Sequence, residues 1–168
     1  MCNAGSIEHC DMNELKNIII EKVTRYKDKM DTYYSKMDDN EINMIEQNYN
    51  VKLPDSYKWF QKEFIFGGMA IDILGKVVHS ETNKVTNLLI ERNDDYIERG
   101  LPKGLIVICH VDEYGYFLDT NRMDANNECP VVSWTNYDNA GIIHLKNNFY
   151  EFLLDQINNS IENNFFED

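Results

Sequence analysis

The chain has 168 residues, 43% of them hydrophobic and 12% aromatic, enough for one well-packed core and too few for two full domains. Its formal net charge of −13 weighs against direct nucleic-acid binding, which needs a cationic footprint for phosphate. Cys2, Cys10, Cys109 and Cys129 show no CxxC spacing and no histidine at zinc-ligand intervals, so a zinc ribbon or finger is not expected.

No stretch approaches the roughly 18 apolar residues of a membrane span. The start of the chain carries Glu8 and Asp11 and no long apolar run, unlike a secretory signal. The expectation is a cytoplasmic protein with reduced thiols, no membrane contact and no cofactor. Its acidity is uneven. Residues 101–168 hold eleven acids against Lys103, Arg122 and Lys146, a balance of −8. Such a field is either a plain solubilising surface or a face that steers a basic partner.

Residues 1–10 read as an irregular lead-in. From Met12 the spacing of Leu15, Ile18, Ile19, Val23 and Tyr26 predicts a helix, with Asp11 as N-cap and Glu14 completing a capping box. Asp38 or Asp39 caps a second, short helix through Ile42, Ile45 and Tyr49. Pro54 suits the first turn of a third, with Tyr57, Phe60 and Phe64 on its buried face and Gly67-Gly68 as its stop. Met69 to Leu74 alternates like a strand, with a turn at Gly75 and a possible continuation at Val77 to His79.

Val85 to Arg99 reads as a helix ended by Gly100. Leu105 to Cys109 is a β-branched run typical of a buried strand, and Tyr114 to Leu118 its antiparallel neighbour across an Asp-Glu turn. Pro130 to Trp134 and Gly141 to His144 supply further strands. An amphipathic helix from about Lys146 carries Phe149, Phe152, Leu153, Ile157 and Ile161. Helices, then a mostly antiparallel sheet, then a closing helix predict a single α+β domain.

Taken in order, these segments resemble the SUKH superfamily, which includes fungal cell-wall-assembly regulators and bacterial immunity proteins. The matching residues are Leu53, Pro54, Tyr57 and Phe60; Gly67 and Gly68; Leu101, Pro102, Leu105, Ile106 and Ile108; Gly115, Leu118 and Asp119; Pro130, Val131, Val132 and Trp134; Phe149 and Phe152. The resemblance covers about residues 38–160. The Asp112-Glu113-Tyr114-Gly115 hairpin departs from the more polar Gly-Asp-Gly type of turn often seen in the family.

The resemblance implies a SUKH-like fold over residues 38–168, with residues 1–37 as an N-terminal extension and first helix of the same domain. It also implies an antitoxin that binds and occludes the toxin domain of a polymorphic secreted toxin, expected to be basic and a nuclease, with a regulatory protein-interaction module of the cell-wall-assembly-regulator type as the alternative. The protein would be a monomer or homodimer.

The expected partner-facing residues are Asp112, Glu113, Tyr114, Tyr116, Asp119, Asp124, Glu128, Tyr137 and Asp138, acids and tyrosines together because tyrosine is a favoured interface anchor. Asp119 reads equally well as a turn former. Trp59 and Trp134 read as core, and Gly68 and Gly115 as backbone requirements. An enzyme using Cys109, His110 and His144 is not expected, because neighbours on a strand point to opposite faces. The spacing of His79, His110 and His144 does not favour a metal site.

Overall fold

A computed structural model describes residues 11–30, 34–64, 72–79, 81–112, 114–137 and 141–163. Helix α1 (Met12–Tyr26) begins at Asp11, whose carboxylate accepts from the Asn13 amide at 3.4 Å. The reciprocal capping box occurs instead at α2 (Asp39–Tyr49). There Asp38 accepts from the Glu41 amide and Glu41 accepts from the Asp38 amide, each at 2.9 Å. Helix α3 (Asp55–Glu63) has Pro54 at its N-cap, one position before the expected first turn. The strand β1 (Tyr34–Ser35) joins the hairpin of β2 (Lys76–His79) and β3 (Lys84–Asn87) in a small antiparallel sheet.

Two expectations are corrected here. Residues 72–74 are not strand, although Leu74 donates its amide to Ile108 C=O at 2.7 Å; residues 69–71 lie outside the described residues, as do Gly67 and Gly68. Val85 to Asn87 are strand, not helix: they pair with Lys76 to Val78, and helix α4 (Leu88–Glu98) starts only at Leu88. The β-branched pair Val85-Thr86 suits the pleated hairpin, and Asn87 then caps α4 by accepting from the Ile90 amide. Gly100, at φ +91°, closes α4; the Leu101 amide reaches back to Tyr96 C=O and the Gly100 amide to Ile97 C=O.

The larger sheet is antiparallel, in the order β4 (Leu105–Val111), β5 (Tyr114–Asp119), β6 (Val131–Trp134) and β7 (Ile142–Lys146). Its two faces follow from strand alternation. Tyr116 meets Phe152 of helix α5 (Phe149–Glu162) at 5.4 Å, whereas the next residue, Phe117, meets Tyr96 of α4 at 5.0 Å. The sheet therefore lies between α4 and α5. On the outer side of α5, Phe149 packs against Tyr57 and Phe60 of α3, and α1 adds Leu15, Ile19 and Val23 to the same core. Trp134 is buried; Trp59 is half-buried against Phe64 and Tyr150, with Lys16 Nζ 4.9 Å from its ring centre. The architecture is a single α+β domain.

Candidate protein-interaction surface

Strand register sorts the expected partner-facing residues between two opposite ends of the larger sheet. Val111 pairs with Tyr114, and Gly115 with Trp134, so the β4–β5 turn and the β6–β7 loop emerge at the same end. Asp112 is exposed there in a left-handed turn at φ +39°. Tyr114 is 38% and Tyr137 56% exposed. Tyr116 is half-buried below them, its ring 5.5 Å from that of Tyr114 and in contact with Phe152. Glu113 and Asp138 lie outside the described residues.

This end is held in place from below. The Tyr96 hydroxyl lies 2.9 Å from Tyr114 C=O and 2.8 Å from His110 Nδ1. One hydroxyl proton cannot serve both acceptors. The arrangement that satisfies both has Tyr96 donating to the carbonyl and a neutral His110 donating Nδ1–H to the phenol oxygen. Burial, reinforced by Arg92 and Arg99, lowers the His110 pKa and favours that neutral form. Gly115 makes the approach possible: a Cβ there would lie 2.8 Å from both the Tyr96 hydroxyl and the Phe117 ring. Helix α4 thus positions the backbone that carries Tyr114.

Asp119, Asp124 and Glu128 lie at the other end, and two of them are committed within the fold. Asp119 is 6% exposed, accepting from Arg122 Nε at 2.6 Å and from Asn121 Nδ2 at 3.3 Å. Glu128 is 4% exposed and accepts from both the amide and the hydroxyl of Ser56. Pro54 offers no side-chain cap to α3, so this carboxylate from a distant loop receives one of the free amides in the first turn. Asp124 is exposed, but its side chain organises that loop, accepting from the amides of Asn126 and Glu128 at 2.8 and 2.9 Å. These residues are not brought together with Asp112, Tyr114 and Tyr137.

Cys109 is fully buried, and burial raises its thiol pKa, opposite to the shift that an activated nucleophile needs. It pairs in register with Tyr116, which faces α5, while His110 is engaged with Tyr96 of α4. Among the described residues no group of three or more His, Cys, Asp and Glu could hold a metal ion. No helix among them is long and apolar enough to cross a membrane.

Sequence reasoning missed the exposed β7 pair Ile142 and Ile143, 45% and 52% accessible. The sequence predicts a strand from Gly141 to His144, but nothing local marks that strand as an edge.

The fold is an antiparallel sheet between two helical layers, with an anchored, tyrosine-bearing end. Residues 16–158 match the SMI1-KNR4 cell-wall family, SUKH_5. The chain belongs to this family.

Proposed function

We propose that this protein is an immunity protein that acts by binding and covering the basic toxin domain of a secreted toxin, a nuclease in the simplest case, without turnover. The observation that carries the reading is the convergence of Asp112, Tyr114 and Tyr137 at one anchored end of the sheet in a chain of net charge −13. A nuclease is basic where it grips phosphate, so an acidic surface can occupy that groove, while tyrosines supply contact area at little entropic cost. Tyr116 supports the outer tyrosine, and Glu113 and Asp138 would extend the acidic rim by their place in the chain. Family membership supports a protein partner; the acidic balance supports its charge.

The test is co-expression with the C-terminal toxin domain of a secreted protein encoded directly upstream. Survival that depends on this chain supports the reading, and equal killing with and without it rejects immunity for that pair.

A further inference from the structure

The larger sheet has two edges, and the fold treats them differently. Strand β4 is covered: its register shifts between Val107 and Cys109, the Val107 amide donates to Asn93 Oδ1 at 2.9 Å, and Ile108 C=O accepts from the Leu74 amide. Strand β7 pairs only with β6, and among the described residues no segment pairs with its outer side. Ile142 and Ile143 point to opposite faces and both are exposed, as is His144. No carboxylate occurs from Gly141 to Lys146. A second register shift, with Leu145 between the Val132–His144 and Val131–Lys146 pairs, ends the regular stretch. The one formal charge on the strand, Lys146, lies beyond that shift and is paired with Asp155 of α5 at 3.2 Å, so Ile142–His144 is left as a template for another strand.

Charge selects the occupant. A second copy would bring together two chains of −13 each, whereas a strand bearing Lys or Arg is attracted by that net charge. The edge also begins where the loop bearing Tyr137 ends. We infer that β7 docks an extended, cationic strand of the partner protein by backbone pairing along Ile142–His144. This inference rests on the reading of a basic partner at the same end of the sheet and adds its mode of docking.

The test is a titration of the isotopically labelled full chain with an acetylated, amidated octapeptide of alternating valine and lysine, followed by NMR and amide exchange. The valine–glutamate octapeptide is the charge control. The cationic peptide should shift the amides of Ile142–His144 and slow exchange of those facing outward by roughly tenfold. The effect should weaken severalfold from about 50 to about 300 mM salt and be absent with the anionic peptide. Ile143→Lys should abolish it while leaving the other amide signals in place. Silence at β7, or an equal response to both peptides, would overturn the inference. So would concentration-dependent β7 shifts in the peptide-free protein, which would assign the edge to a second copy. The two failures are distinguishable: toxin rescue that is lost in Asp112→Lys but kept in Ile143→Lys preserves the sheet end and removes the strand, whereas equal killing with and without the wild-type chain removes the broader reading whatever the peptide does at β7.

Discussion

Glu128 shows how one side chain can couple distant parts of the chain to pH. Burial pushes its pKa up to about 7; the Ser56 hydrogen bonds oppose this, while Asp55 and Asp124 add to it. A carboxyl whose folded pKa exceeds its unfolded value stabilises the fold fully below the unfolded value, near 4.5, and loses that contribution as pH rises through about 7. Stability should therefore fall by up to about 3 kcal/mol between pH 4.5 and 7.5 from this group. Denaturant titrations across that range should show the slope, and Glu128→Gln should flatten it. An unchanged slope in the variant would mean that other groups carry the pH response. Gly115 makes a steric prediction at the same scale. Gly115→Ala places a methyl against the Tyr96 hydroxyl and Phe117 ring and should cost about 1–3 kcal/mol in thermal or chemical unfolding.

Among the elements, α2 is the best defined by its own residues. Its capping box satisfies amides at both Asp38 and Glu41, and Glu41 also holds Lys76 of β2 at 2.8 Å, joining the helix to the small sheet. Asp38→Ala should destabilise the protein by about 1 kcal/mol, measured as a shift in urea midpoint without a change in its slope. The β3–α4 junction shows the limit of local reading. Val85 and Thr86 continue the apolar spacing of the helix that follows, yet pairing across to Val78 and Val77 places them in a strand. Tertiary pairing outweighs a weak local preference there. The long periodic helices α1 and α5 and the β-branched strands β4 and β6 are legible because burial on one face imposes their spacing.

For the molecule as a whole, the prediction concerns charge. Asp112→Lys should weaken binding to a basic toxin domain by about tenfold, mainly through slower association, and wild-type affinity should fall as salt rises. Titration calorimetry and stopped-flow mixing would measure both; a salt-independent affinity would point to an apolar interface. Asp124→Lys, at the far end of the sheet, should leave affinity nearly unchanged. That contrast tests the spatial division of the acidic residues.

Composition and periodicity carried the fold class, the acidic balance and the family-bearing segments, because each reflects a local pattern of burial or a simple sum of charges. Neither could reveal which acids share a surface. Asp112 and Asp119 are seven residues apart but lie at opposite ends of one strand pair, whereas Glu128 meets Ser56 across 72 positions in the chain. Strand register and long-range hydrogen bonding set those distances. They separate the exposed end bearing Asp112, Tyr114 and Tyr137 from the carboxylates that hold the fold together, and among the described residues they leave β7 as an open edge of the larger sheet.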